Sequence, residues 1–251
     1  MLFHFCQSNL QCRNLFVCKS LMVMFVNSQI RVVSSFQELI NTPLKGDKNA
    51  LCWQRHPLGD FSNIVHKIEV HSNIIQIEEN DLNALILSEQ GQLARALILE
   101  DMAFLKAHGA APVLNLISVY DRDFDNPIFP TDVYSFHVVR SPLPSDTFLC
   151  TYHGDASEIL PNAQAEQKIH VPEIRAQLKK QFNGPDHEFE NYLEEAFYNL
   201  HYQAKNNAQP VNLGLYNMWR LAVDCKGSNV LPCIHRAPEE KSGQARLLLI
   251  C

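Results

Sequence analysis

Residues 131–155 read TDVYSFHVVRSPLPSDTFLCTYHGD, and their reading decides the fold class. Residues 133–139 and 147–152 are short apolar runs rich in β-branched and aromatic side chains, separated by Ser, Pro and Asp. Runs of that kind between turn residues read as strands. Upstream, 112–120 (PVLNLISVY) has the same texture. The Asp, Asn and Pro of 121–130 (DRDFDNPIFP) make it a connecting loop. Downstream of a turn-rich segment at 154–162, strands are expected again at 215–223, 231–235 and 246–250.

Helices flank this block. Over 81–106, Leu82, Leu85, Ile86, Leu93, Leu97, Ile98, Met102 and Leu105 recur at threes and fours, with Gly91 as a candidate break and Gly109 as a stop. Asp60 is placed to cap a helix carrying Ile64, Val65 and Ile68. Segments 172–182, with Pro172 at a helix start, and 189–202 read as a helical insertion. Short strands are expected near 30 and at 50–53. The expectation is an α+β fold: a double-stranded β-helix (jelly-roll-like) core with an N-terminal helical layer and a helical insertion. Regular βαβ alternation and a Gly-rich phosphate loop are both missing from the sequence.

The totals narrow the function classes. The chain has 251 residues, 46% hydrophobic and 19% charged, which suits one large domain over 29–251. Residues 1–28 are expected to be disordered or a mis-assigned start, because the apolar run 21–26 is too short for a membrane span and lacks a signal-peptide layout. The 21 basic and 27 acidic residues give a net charge of −6, with no basic cluster beyond Arg175, Lys179 and Lys180, so nucleic acid is not an expected partner. Eight cysteines, irregularly spaced and without CxxC, read as reduced thiols of a cytoplasmic protein.

Three polar residues on expected strands could carry chemistry: His137, His235 and Arg246. His235 ends LPCIH and Arg246 opens RLLLI, joined by a short turn at 239–243. Neighbouring antiparallel strands would put both in one cavity, with His as a metal ligand and Arg as a bidentate carboxylate clamp. His137 would add a second imidazole from a distant strand. Residues i and i+2 share a strand face, so a carboxylate two positions after His137 would complete a two-His-one-carboxylate iron face. Position 139 is Val, which cannot coordinate iron. The competing readings are a buried His137 bonded to backbone, and an Arg246 paired with Glu239 or Glu240.

The stretches FHVV, FLCTYHGDASE, CIHRAP and RLLLI resemble the bacterial family called domain of unknown function 1826. The resemblance runs from Trp53 to the C-terminus and is sharpest from Phe136. The family's first stretch usually reads His-Val-Asp, and its layout is similar to the iron- and 2-oxoglutarate-dependent oxygenases. The resemblance implies Fe(II) at His137 and His235, 2-oxoglutarate on Arg246, and a further hydrogen bond to that co-substrate from Tyr152. Val139 departs from the pattern. Asp132, Asp146, Asp155 or Glu158 could replace the missing carboxylate, or a small ligand could complete the site. The alternative function is a non-catalytic protein binding a small carboxylate or a metal on the same fold. A zinc site from Cys150 and His153, or from Cys233 and His235, lacks the expected ligand spacing.

Overall fold

The structure is a computed structural model that describes residues 28–123, 126–241 and 243–251; the expectation for residues 1–27 lies outside them. In chain order the strands and helices are β1 (Ile30–Val33), α1 (Phe36–Asn41), β2 (Ala50–Trp53), α2 (Phe61–Val65), β3 (Ile74–Ile77), α3 (Glu79–Ala84), α4 (Glu89–Ala107) and β4 (Val113–Ile117). There follow β5 (Asp146–His153), β6 (Glu158–Ile159), β7 (Ala165–Gln167), α5 (Pro172–Gln181), α6 (Phe189–Glu195), β8 (Tyr202–Ala204), β9 (Val211–Asn212), β10 (Met218–Ala222), β11 (His235–Arg236) and β12 (Arg246–Ile250).

The frame is a seven-stranded sheet in the order β1-β2-β10-β5-β12-β4-β3. Only the β1–β2 pair is parallel. The sheet is open, with β1 and β3 at its edges. Alternation along β5 and β12 divides two cores. Cys150, Tyr152, Leu247 and Leu249 face a cluster containing Ile98, Met102 and Leu105 of α4. Leu149 and Leu248 join Trp219, Leu221, Ile159 and Cys233 on the opposite face. The molecule is therefore a mixed α/β fold built on a large, mostly antiparallel sheet with α1–α4 packed on one side, while α5 and α6 form a separate cluster.

Helix α4 forms where its apolar period demanded, capped by the Ser88 hydroxyl, which accepts the Gly91 N–H. The break in the 81–106 pattern falls between α3 and α4, not at Gly91. Gly91 lies in the first turn of α4, where glycine is required because a Cβ would sit 2.3 Å from Asn63 Oδ1.

A second β layer covers the other face of the large sheet. It comprises the three-stranded sheet β11-β6-β9 and the pair β7-β8. Three expected elements change here. Residues 133–139 form no strand, and His137 alone bridges to His201 and to His235. The strand at 231–235 shrinks to β11. The helix at 189–202 stops at Glu195, because Phe197 adopts left-handed φ (58°) and redirects the chain into a single 3-10 turn over Tyr198–Leu200, after which His201 is extended. β11 and β12 also belong to different sheets, so His235 and Arg246 are not on neighbouring strands.

Candidate functional site

Backbone hydrogen bonds build the site before any side chain does. His137 N–H donates to His235 O and His235 N–H donates to His137 O, both at 2.9 Å. Two residues that exchange both bonds are directly opposed and present side chains on one face. On the other flank, Val138 N–H donates to Leu200 O and Tyr202 N–H donates to Phe136 O, which sets His201 opposite His137. The three imidazoles form a row, with ring centroids 4.8 Å apart for His137–His235 and 6.1 Å for His137–His201. Phe136, Val138 and Ile234 point the other way into a separate cluster with Leu160.

The two expected histidines have fixed tautomers. His137 Nδ1 lies 2.8 Å from Ser135 O, and His235 Nδ1 lies 3.1 Å from Cys233 O. A carbonyl only accepts, so each Nδ1 carries the hydrogen and each Nε2 keeps its lone pair. The backbone-bonded reading of His137 therefore holds, and it leaves Nε2 free to act. Burial lowers the pKa of all three rings. It brings His235 down to about 3, helped by His137 and Arg246, and His201 down to about 4, helped by His137 and Lys168. His137 is lowered as well, chiefly by burial. All three are neutral near pH 7.

These shifts fix an acid response. A histidine whose folded pKa is depressed takes up its proton in the unfolded chain first. Its stabilising contribution is intact above about pH 6.5 and is lost as pH falls toward the folded value. Stability should drop between pH 6.5 and 4, with a slope of about 1.4 kcal/mol per pH unit for each titrating ring. His201→Gln should reduce that slope by about one proton's worth. Urea midpoints at four or five pH values check this, and parallel profiles for the two proteins would contradict it.

Arg246 stands at the start of β12, 6% exposed, on the inter-layer face. Its Nη2 donates to Ser157 Oγ at 2.8 Å and Thr151 Oγ1 at 3.1 Å, its Nη1 reaches Tyr120 OH at 3.4 Å, and its Nε has no partner. Among the described residues no carboxylate pairs with it. The competing reading assigned it Glu239 or Glu240, but both pair with Arg122. Burial lowers the Arg246 pKa, against the opposing pull of the Tyr120 hydroxyl and of the Asp155 and Glu240 charges. The turn after β5 approaches closely because Gly154 has φ +81°; a Cβ there would lie 2.9 Å from Ala245 O. The cavity touching Arg246, bounded by Tyr120, Glu239, Glu240 and Lys241, measures about 20 Å³, room for about one water.

Tyr152 corrects the reading drawn from the resemblance. It is fully buried on the helical face, and its hydroxyl donates to Asp101 at 2.6 Å. Thr151, one residue away and on the opposite face, is the β5 side chain that meets Arg246. Three of the four substitute carboxylates are engaged elsewhere: Asp146 with Arg220, Asp155 with Lys241 and Glu158 with Arg236. Asp132 is near enough for its charge to act on His137 and His201, but its oxygens accept the N–H groups of Asp123 and Tyr134. Val139 is 37% exposed and offers no ligand. Among the described residues no three His, Cys, Asp or Glu side chains gather to hold a metal.

The sequence reading missed His201, Tyr120, Thr151 and Ser157. A polar Thr151 in the middle of FLCTY was the available signal for one of them. Comparison with protein-family models, with curated proteins and with solved structures returns no match. Among the described residues no helix is long and apolar enough to cross a membrane.

Proposed function

We propose that this protein binds a small carboxylate at Arg246, beside the His137–His235 pair, on an oxygenase-like scaffold whose metal face is incomplete. The observation that carries the reading is the buried guanidinium of Arg246, held by neutral hydroxyls with one N–H unpartnered. A buried cation is normally paired. A carboxylate supplies the missing charge and matches the planar fork. The small cavity implies that Tyr120 or the 238–241 segment moves when a ligand larger than water enters.

A second reading, the iron- and 2-oxoglutarate-dependent oxygenase, has one observation in its favour. His137 and His235 are opposed residues whose ring centroids lie 4.8 Å apart, and both Nδ1 atoms are turned to backbone carbonyls, so the two Nε2 atoms are the ones that could serve as nitrogen ligands. Iron bound there would supply redox chemistry at an open position. The donor set nevertheless falls one carboxylate short at Val139, so the residues present do not fit the full iron face. The resemblance to domain of unknown function 1826 and the double-stranded β-helix belong to this proposal. Two facing β layers, with the histidine row turned inward, support them. The free thiols of Cys52, Cys150, Cys225, Cys233 and Cys251 support a cytoplasmic setting.

A thermal-shift panel tests the reading. With 2-oxoglutarate or succinate at about 100 times Kd, stabilisation of about 2.7 kcal/mol is expected, with or without added metal. A response to neither acid counts against carboxylate binding. A response to Fe(II) or Mn(II) alone favours the metal reading instead. Val139→Asp is expected to tighten binding of Mn(II) by about tenfold or more, which is about 1.4 kcal/mol. Unchanged metal affinity, measured by calorimetry, would show that position 139 does not face the pair.

A further inference from the structure

Two ion pairs tie down the chain segment that closes the cavity over Arg246. Arg122 pairs with Glu239 and lies 3.7 Å from Glu240, while its guanidinium stacks 3.5 Å from the Tyr134 ring centroid. Glu240 also accepts the Tyr120 N–H at 3.0 Å, and the Tyr134 hydroxyl accepts the same N–H at 3.1 Å. Lys241 pairs with Asp155 at 2.7 Å. Tyr120, Asp155, Glu239, Glu240 and Lys241 all line the cavity that touches Arg246. Glu239 and Lys241 are more than 60% exposed, so salt screens these pairs and each is weak.

We infer that Arg122–Glu239/Glu240 and Lys241–Asp155 form a salt-sensitive latch that closes the mouth over Arg246 and regulates access of the carboxylate ligand. The inference rests on the reading of Arg246 as a carboxylate clamp. Closed, the latch sets the three carboxylates Asp155, Glu239 and Glu240 against the two cations Arg122 and Lys241, so the mouth keeps a net negative charge that repels an incoming anion. Salt therefore acts with a sign opposite to simple attraction. Screening opens the pairs and weakens the repulsion, so the ligand enters faster as ionic strength rises.

The test measures access to Arg246 with phenylglyoxal, a neutral arginine reagent whose approach salt does not steer. Modification is read site by site by mass spectrometry, with exposed Arg31 as the internal control. Between 20 and 500 mM NaCl the Arg246 rate should rise about two- to fivefold for each pair released, while Arg31 stays constant. The Glu239→Gln/Glu240→Gln double variant and Arg122→Gln should show the fast rate already at low salt. Stopped-flow binding of 2-oxoglutarate should follow the same pattern, rising with salt in the wild type and falling with salt in the double variant. Arg246 reactivity that ignores both salt and the substitutions overturns the latch, whatever 2-oxoglutarate does. Latch-dependent reactivity without 2-oxoglutarate binding in any variant keeps the latch and removes the carboxylate reading.

Discussion

Asp101→Ala is expected to lower the free energy of unfolding by about 3–5 kcal/mol, the loss that follows when one partner of a buried ion pair is removed. Asp101 is 1% exposed and takes both Arg55 Nη groups, at 2.6 and 2.7 Å. It also accepts the Tyr152 hydroxyl at 2.6 Å. Truncation strands a buried guanidinium, whose remaining protein contacts are the Tyr216 carbonyl, the Cys150 sulfur and the face of Trp53. It strands a buried phenol as well. For a chain of this length the melting point should fall by about 10 °C. Asp101→Asn, which keeps one acceptor and the shape, should lose less. The Arg55→Met/Asp101→Leu double variant should lose less than Asp101→Ala, because it removes both charges together. Urea unfolding of the set decides. A loss below about 1 kcal/mol for Asp101→Ala would show that the pair is not the fixed point of this core.

The same network shows where the sequence stops being legible. Parity along RLLLI separates Arg246 and Leu248 from Leu247 and Leu249, and β12 obeys it. Parity along FLCTYH equally separates Thr151 from Tyr152, but it cannot say which of them meets Arg246. That depends on a register shift between Leu247 and Leu248 against β5, a property of the pairing and not of either strand. The resemblance placed Tyr152 at the co-substrate, whereas the pairing turns Thr151 to Arg246 and Tyr152 to Asp101. His201 was hidden for a different reason. Phe197 and Leu200 continue the period of α6, so a helix absorbs His201 unless the left-handed turn at Phe197 is known. No residue preference announces that turn, since Phe is an unusual occupant of it. His137 and His235 were identifiable because a histidine inside an apolar run must be explained wherever it lies. That they meet through an isolated bridge and not through long strands was outside the reach of local patterns.

Arg246→Met is expected to leave the ligand-free protein as stable as the wild type or about 1–2 kcal/mol more stable, while abolishing its response to carboxylates. The reasoning is opposite to that for Asp101. Arg55 has a counter-ion whose removal leaves a charge uncompensated, whereas Arg246 makes no ion pair among the described residues and feels Asp155 and Glu240 only at longer range. The hydrogen bonds that Arg246 donates to the Thr151, Ser157 and Tyr120 hydroxyls offset only part of the cost of holding a guanidinium away from water. Met fills much of the same volume without charge, and the cavity beside Tyr120 has room for about one water to serve the hydroxyls. The two proteins should then change order with ligand. The variant is at least as stable in buffer. The wild type becomes the more stable in saturating 2-oxoglutarate, where binding adds about 2.7 kcal/mol at 100 times Kd. Loss of the Arg246 charge should also raise the pKa of His235, which that charge helps to depress, and an NMR titration of the ring reads this directly. A structural arginine predicts the reverse order: the variant unfolds about 2 kcal/mol or more earlier in plain buffer, and the wild type ignores the acid. Arg246→Lys separates charge from shape. It keeps the cation but not the fork, so it should keep the stability cost and lose most of the carboxylate response.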